Sequence, residues 1–125
     1  MILDSCFLID LMAGDGAAVA KLDELVAEGR QLSVSTLSVT EVERGLDTRE
    51  RERFGAVVED VDIAAYDRKM ARRAASVLRS LDDDGAPIGA VDAMVAATAL
   101  ERDGSVVTRN VAEFRRIDGI RVVPY

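Results

Sequence analysis

Short apolar runs that alternate with amphipathic helix patterns are the feature that most constrains the fold of this chain. Three such runs, Met1–Leu3, Gln31–Ser35 and Ser105–Thr108, are too short to be helices, and each precedes a helical pattern. Strands separated by helices pair in parallel, because each helix returns the chain to the same end of the sheet. The sequence therefore predicts an α/β fold, with a mostly parallel, twisted sheet of about four to five strands and helices on both faces.

Apolar spacing and cap residues predict the other elements. The predicted helices are Cys6–Gly14, Ala17–Glu28, Thr36–Leu46, Ala64–Asp84 and Ala90–Arg102, with one helical turn at Val111–Phe114. The segment Asp47–Glu59 is dense in charge, which predicts a solvated helix face with ion pairs. Val61–Ile63 predicts a short strand or a turn. Arg121–Pro124 predicts a last strand at the sheet edge, because proline lacks an amide donor.

Length and cysteine content limit the kind of protein. A chain of 125 residues buries one core but not two, so we expect a single domain over residues 1–125. No apolar segment is long enough to span a membrane, and no basic stretch precedes the first apolar residues, so we expect neither an anchor nor a signal peptide. Cys6 is the only cysteine, which excludes an internal disulfide and fits a reducing cytoplasm.

The absence of histidine excludes several catalytic classes. With no histidine, the chain has no Ser-His-Asp triad, Cys-His pair, HExxH zinc site or histidine-based ribonuclease chemistry. With one cysteine as well, it lacks the ligands of a structural zinc site. If the protein is an enzyme, its catalysis must then depend on carboxylates, which prefer hard cations such as Mg²⁺ or Mn²⁺.

The net charge of −7 argues against diffuse electrostatic binding of nucleic acid. A local basic surface is compatible with that balance, because the charges are unevenly spread. The predicted helix Ala64–Asp84 has an apolar stripe and a polar side that carries several cations. The candidate RNA-facing residues on that side are Arg68, Lys69, Arg72 and Arg73. The alternative interpretation is an ordinary solvated helix face.

Three carboxylates stand where predicted strands end or predicted helices begin. Asp4 follows the first strand, and its simplest role is to cap the next helix. Glu41 belongs to a Ser38-x-x-Glu41 pattern, which is typical of a capping box. Asp92 shares a helix face with apolar residues, and the helix dipole favours an aspartate in a first turn. Each residue therefore has a local structural explanation.

These local explanations do not predict that the acids converge, whereas a common site does. In a parallel sheet, Asp4 and Asn110 follow strand carboxyl ends, and Glu41 and Asp92 begin helices on the same rim, where α/β folds bind ligands. Carboxylates held this close repel one another and favour a divalent cation between them. Such a site is suited to in-line hydrolysis of a phosphodiester, which leaves a 5′-phosphate and a 3′-hydroxyl without a cyclic intermediate.

Four sequence motifs together resemble a known family. They are ILDS near the start, TEV at residues 40–42, DAMVAATAL from Asp92, and VVTRNVAEF ending at Phe114. In this order they are similar to the PIN domain, and within that family to the VapC toxins of VapBC toxin–antitoxin pairs. The resemblance covers almost the whole chain. It implies a PIN-like three-layer fold and a magnesium-dependent endoribonuclease that an antitoxin holds inactive.

The resemblance also implies roles for individual residues. The metal-site acids match Asp4, Glu41 and Asp92. The fourth acidic position of the family varies, and here we expect Glu113 as an auxiliary acid and Asn110 as a neutral, site-lining residue. The hydroxyls expected to orient the acids are those of Ser5 and Thr108. The implied partners are an RNA substrate, a VapB-like antitoxin that places a basic side chain in the acidic site, and a second copy of the chain in a homodimer.

Other functions remain open from the residues alone. A PIN-like fold that has lost catalysis and only binds RNA or an antitoxin is the main alternative, and the neutral Asn110 favours it. A haloacid-dehalogenase type of phosphohydrolase also begins with a strand that ends in aspartate, but it requires a second aspartate where Cys6 stands. A receiver domain requires paired acids near the first strand and a late lysine, whereas the only lysines are Lys21 and Lys69.

Overall fold

The computed structural model describes residues 1–125, which form five strands and seven helices. The strands are β1 (Ile2–Leu3), β2 (Ser33–Ser35), β3 (Asp62–Ala64), β4 (Ser105–Val107) and β5 (Arg121–Val123). The helices are α1 (Ser5–Met12), α2 (Gly16–Ala27), α3 (Thr36–Glu43), α4 (Thr48–Val58), α5 (Arg68–Asp83), α6 (Ala90–Leu100) and α7 (Val111–Arg115). No helix is both long enough and apolar enough to cross a lipid bilayer.

All five strands pair in parallel in one sheet, in the order β3-β2-β1-β4-β5. The central strand is β1, and its Ile2 lies opposite Ser33 of β2 and Val106 of β4. This topology confirms the predicted parallel sheet and the edge position of the last strand. Because the strands are parallel, the residues that follow β1, β2 and β4 lie at one edge of the sheet. We call this edge the carboxyl rim.

The sheet separates two hydrophobic clusters, which gives the predicted three layers. Adjacent strand residues point to opposite faces. Accordingly, Leu3 packs in a cluster with Phe7 and Phe54, while its neighbour Ile2 packs in a second cluster with Phe114. Helices cover both faces, so the three central strands β1, β2 and β4 bury both of their sides, whereas the edge strands β3 and β5 are partly exposed.

Helix α6 lies in the centre of the molecule, against α3, α5, β1 and β4. Its small residues permit this close packing, because alanine side chains keep neighbouring backbones near the helix. The fully buried members are Ala93, Val95, Ala96, Ala97, Thr98 and Ala99. The first turn of α6 therefore presents Asp92 at the carboxyl rim from a helix that packing holds in place.

The predicted start of the long helix at Ala64 is wrong. Ala64 is fully buried and pairs with Ser35 as the last residue of β3. Helix α5 begins at Arg68, because the side chain of Asp67 accepts a hydrogen bond from the amide of Met70 and caps the helix there. The strand-or-turn prediction for residues 61–63 is confirmed as a strand, shifted by one residue. The last strand ends one residue earlier than predicted, at Val123.

Candidate functional site

Asp4 is a buried carboxylate at the end of the central strand, with 4% of its surface exposed. Its Oδ1 accepts a 2.8 Å hydrogen bond from the amide of Ser5, so Asp4 caps α1 as the simple interpretation predicted. Its Oδ2 accepts a 2.7 Å hydrogen bond from the hydroxyl of Thr108, which follows β4. The thiol of Cys6 lies 3.4 Å from the same oxygen. Burial of this charge is thus compensated by three donors.

Asp92 is half-buried in the first turn of α6, and its Oδ2 accepts a 3.1 Å hydrogen bond from Nδ2 of Asn110. The pKa of Asp92 is raised to about 6, first by burial and then by the negative charges of Asp4, Glu113 and Glu41, in that order. Carboxylates act on one another in this way only at short range. The structure therefore brings the four acids of the sequence analysis to one part of the carboxyl rim.

Glu41 lies in α3, and the predicted Ser38–Glu41 capping box is wrong. The helix begins earlier, because the hydroxyl of Ser35 accepts a 3.2 Å hydrogen bond from the amide of Leu37 and makes Ser35 the cap. Ser38 is fully buried inside the helix, and its hydroxyl has no partner. The carboxylate of Glu41 is therefore free of a capping role.

The pKa of Glu41 is raised by burial and then by the charge of Asp4, while the Ser5 side chain and the Arg44 guanidinium oppose the shift. Glu41 thus lies near enough to Asp4 for their charges to interact. The side chain of Ser5 lies beside it. A half-buried carboxylate with a raised pKa accepts a proton more readily near neutral pH than an exposed one.

Asn110 precedes the short helix α7 that follows β4, and Glu113 lies within it. Asn110 is the N-cap of α7, but its side chain makes no capping bond because its amide group is directed to Asp92. Its backbone amide donates a 2.9 Å hydrogen bond to the Thr108 hydroxyl. Glu113 follows one turn later and acts on Asp92 through its charge. Asn110 therefore orients one acid, and Glu113 adds a fourth.

Fit of this site to a cation rests on the chemistry of its donors. Carboxylate and amide oxygens are the ligands that Mg²⁺ and Mn²⁺ prefer, and the mutual repulsion of the acids favours a positive ion. As the side chains stand, no group of three or more acidic or cysteine side chains is arranged closely enough to hold one metal ion. The residues present therefore fit a hard divalent cation in type and location, without forming a closed cage.

Two of the basic candidates, Lys69 and Arg73, lie away from Asp92. Lys69 and Arg73 each pair with Glu101 at 2.9 Å, and Glu101 caps the far end of α6 from Asp92. Nine helical positions separate Glu101 from Asp92, which is about 14 Å. Residues Arg68, Lys69 and Arg72 line an open recess of about 480 Å³. The structure therefore holds Lys69 and Arg73 at the end of α6 opposite Asp92.

A polar cluster beside the acids was missed by the sequence analysis. The thiol of Cys6 contacts Asp4 and Thr108, and burial together with the Asp4 charge raises its pKa. Asp10 lies on the same face of α1, one turn after Cys6, and pairs with Arg109 at 3.2 Å. Tyr125 donates a hydrogen bond to Asp10. The spacing of four residues between Cys6 and Asp10 was a usable signal, whereas nothing local indicated Tyr125.

The chain is a parallel α/β domain with a carboxylate site at its carboxyl rim and no histidine. The family model described as "PIN domain" matches residues 1–120. The chain belongs to the PIN domain family, and within it the chain is similar to proteins named VapC, as the sequence motifs indicated.

Two curated relatives give the extent of this similarity. "Ribonuclease VapC19" of Mycobacterium tuberculosis is 32% identical over 120 residues, covering 90% of each chain. "tRNA(fMet)-specific endonuclease VapC" of Salmonella typhimurium is 33% identical over 97 residues, covering 74% of each chain. Nuclease activity is therefore characteristic of the relatives that this chain resembles.

Solved structures agree with the fold. The DNA-bound VapBC complex of Salmonella typhimurium contains a chain that is 28% identical, with a TM-score of 0.78, covering 98% of this chain and 96% of that one. VapBC2 of Rickettsia felis has a TM-score of 0.87 at 18% identity, covering 99% of this chain and 97% of that one, and supports the fold alone.

Proposed function

We propose that this protein is a divalent-metal-dependent endoribonuclease and the toxin of a type II toxin–antitoxin pair. The single observation that carries the proposal is the convergence of four carboxylates at one rim: after burial, the charges of Asp4, Glu113 and Glu41 are the causes that raise the pKa of Asp92 to about 6. Such a cluster is costly without a cation or a reaction that uses it. The names of the relatives, a ribonuclease and a tRNA endonuclease, support RNA as the substrate class.

Each acid has a role that follows from its surroundings. Asp4 and Asp92 would hold Mg²⁺ or Mn²⁺, because Thr108 and Asn110 orient their carboxylates. When bound, the cation activates water and offsets the charge that develops on the scissile phosphate. Glu41 either helps to hold the ion or polarises the attacking water, since its raised pKa suits it to accept a proton. In-line attack leaves a 5′-phosphate and a 3′-hydroxyl.

Glu113 is the auxiliary acid of this proposal. It stands one turn after Asn110, and its charge acts on Asp92, so it adds negative potential where the cation would bind. Asn110 contributes an amide rather than a charge. Two residues therefore share the role of the fourth acid in this proposal. Asn110 is neutral and orients Asp92, and Glu113 supplies a negative charge beside it.

The proposed partners follow from the names of the similar structures. Several are VapBC toxin–antitoxin complexes, which supports a VapB-like antitoxin as the partner of this chain. An acidic rim is complementary to a basic side chain, so we propose that the antitoxin inhibits by placing one there. A homodimer in the cytoplasm completes the proposal.

The test is RNA cleavage by purified protein in MgCl₂, with and without EDTA. We expect wild type to cleave, EDTA to abolish cleavage, and Asp92→Asn to reduce it by about 100-fold or more with an unchanged circular-dichroism spectrum. Asp83→Asn is the matched control, because Asp83 is exposed at the end of α5 and has no ion pair. Analysis of the product ends distinguishes a 5′-phosphate from a cyclic phosphate.

Equal cleavage by wild type and Asp92→Asn would refute the proposed mechanism. RNA binding without cleavage by the wild-type protein would instead support the alternative function, a binding module with a PIN fold. The neutral Asn110 at a position where an acid is expected is the feature of the chain that favours this alternative.

A further inference from the structure

Arg109 stands between two residues that orient the acids, yet its side chain points away from them. Its Nε lies 3.2 Å from Oδ2 of Asp10, and its Nη2 lies 3.1 Å from Oδ1 of Asp15. Asp10 belongs to α1, and Asp15 is the N-cap of α2. One guanidinium therefore joins the segment after β4 to α1 and to the start of α2. Two carboxylates already neutralise its charge.

Tyr125 completes this anchor from the other end of the chain. Its hydroxyl donates a 2.6 Å hydrogen bond to Oδ2 of Asp10, the oxygen that also pairs with Arg109. The Arg109 guanidinium lies over the Tyr125 ring, 5.0 Å from its centroid. The same ring meets Phe7 edge-to-face at 4.8 Å, and Phe7 is fully buried. We call the group Arg109, Asp10, Asp15 and Tyr125 the arginine clamp.

The clamp holds the middle residue of the segment Thr108–Asn110. The backbone amide of Arg109 also lies 3.4 Å from the Cys6 thiol. Thr108, on one side, donates to Asp4, and Asn110, on the other side, donates to Asp92. Consecutive Cα atoms are about 3.8 Å apart, so a residue fixed in the middle restricts both neighbours. Loss of the clamp would free the two donors that set the orientation of the acids.

We propose that Arg109 is a positioning residue, whose clamp holds Thr108 and Asn110 so that they orient the Asp4 and Asp92 carboxylates for the metal. This inference rests on the proposed function, because it assigns a purpose to that same site. The alternative role for an arginine near a nuclease site is direct contact with a phosphate of the RNA. Its double carboxylate pairing argues against that role.

The experiment compares three variants of the full chain. Arg109→Gln removes the guanidinium, and Tyr125→Phe removes only the hydroxyl that donates to Asp10. Arg30→Gln is the matched control. The side chain of Arg30 is 45% exposed, close to the 48% of Arg109, and its Nε pairs with Glu28 at 3.1 Å as the Nε of Arg109 pairs with Asp10. The readouts are the side-chain amide resonances of Asn110 in metal-free protein, the affinity for Mn²⁺, and kcat and KM on a short RNA.

We expect Arg109→Gln to shift the Asn110 resonances, to weaken Mn²⁺ binding about tenfold and to lower kcat about tenfold. KM should stay within about twofold, since no substrate contact is lost. Tyr125→Phe should act in the same direction with a smaller effect, and it decides the question if Arg109→Gln does not fold. Arg30→Gln should match the wild type in every readout.

Several results would overturn the inference. One is that Arg109→Gln behaves like Arg30→Gln; another is that the Asn110 resonances shift while Mn²⁺ affinity is unchanged. A higher KM with normal kcat and unshifted Asn110 resonances would make Arg109 a phosphate ligand instead. The first two readouts need no RNA cleavage. An inactive wild type would therefore refute the proposed function, while the Asn110 resonances and Mn²⁺ affinity would still decide the role of the clamp.

Discussion

The hydroxyl of Thr108 donates a 2.7 Å hydrogen bond to Oδ2 of Asp4, although 104 positions separate the two residues. The bond joins the carboxyl ends of β4 and β1 at the rim where the acids converge. The other oxygen of Asp4 is held by the amide of Ser5. Both oxygens of this buried carboxylate are therefore oriented by fixed donors, which is the arrangement expected of a residue that must present a lone pair to a ligand.

Replacement of Thr108 by valine should destabilise the protein by about 1–3 kcal/mol, because the change keeps the shape but removes the donor to a buried charge. The Cys6 thiol, 3.4 Å from the same oxygen, is too weak a donor to replace it. The measurement is urea denaturation at pH 7. Thr108→Ser is the control, since it retains the hydroxyl and should recover most of the loss. A valine variant as stable as the serine variant would show that the bond contributes nothing.

Replacement of Asp92 by asparagine should change how stability depends on pH. Since the pKa of Asp92 is raised to about 6, its contribution to stability is fully present below pH 3.8 and is lost as pH rises through about 6. Above that pH the ionised Asp92 opposes folding. In EDTA, Asp92→Asn should therefore be more stable than wild type by about 1 kcal/mol at pH 7.5, a figure that allows for solvent screening of this half-buried group.

The difference between the two proteins should disappear at pH 4, where Asp92 is protonated in the wild type. Thermal denaturation in EDTA between pH 4 and pH 8 measures it, with Asp83→Asn as an exposed control. Addition of Mg²⁺ at pH 7.5 should stabilise the wild type and not Asp92→Asn, because binding to the folded state adds to its stability. A stability difference that does not vary with pH would contradict the assigned cause.

The general fold could be predicted because its signals are local. The run Met1–Leu3 is short and apolar because β1, at the centre of the sheet, buries both faces over only a few residues, and a helix pattern follows it directly. The start of α5 could not be found in this way. Ala64 is as compatible with a helix as with a strand, and its pairing with Ser35 in β2 decided the matter.

The positions of the acids could also be predicted, because strand carboxyl ends share one rim. The capping pattern at Ser38 and Glu41 misled because Ser35 offers an equivalent cap three residues earlier, and the sequence does not rank the two serines. Contacts between distant segments remained hidden. The bond between Tyr125 and Asp10 spans 115 positions, and no periodicity or motif marks either residue for the other.

Replacement of Glu113 by glutamine should lower the pKa of Asp92 below about 6, because the charge of Glu113 is one of the causes that raise it. The effect should exceed that of Glu41→Gln, since Glu113 acts more strongly on Asp92 than Glu41 does. Titration of the Asp92 carboxyl carbon by NMR in metal-free protein measures both. If Glu113 is the auxiliary acid, cleavage in Mg²⁺ should also fall about tenfold.

The neighbouring Asn110 provides the comparison for that experiment. Asn110→Ala removes a hydrogen bond that stabilises the ionised form of Asp92, so it should raise the pKa of Asp92 rather than lower it. Opposite shifts of the Asp92 pKa in Glu113→Gln and Asn110→Ala would distinguish the effect of the Glu113 charge from that of the Asn110 hydrogen bond. Shifts of the same sign would show that one of the two roles is misassigned.

Replacement of Arg68 or Arg72 by glutamine tests the predicted RNA-facing side of α5. Neither residue has an ion pair, whereas Lys69 and Arg73 share Glu101, so the first two offer the more available charges. If they contact RNA phosphates, each variant should raise KM and reduce the slope of log KM against log salt concentration by about 0.7 to 1, with kcat unchanged.

Arg79→Gln is the control, because Arg79 is exposed on the same helix and also lacks an ion pair. Equal effects of Arg79→Gln and Arg72→Gln would indicate that only the net charge of the protein matters, and this face of α5 would then be an ordinary solvated surface.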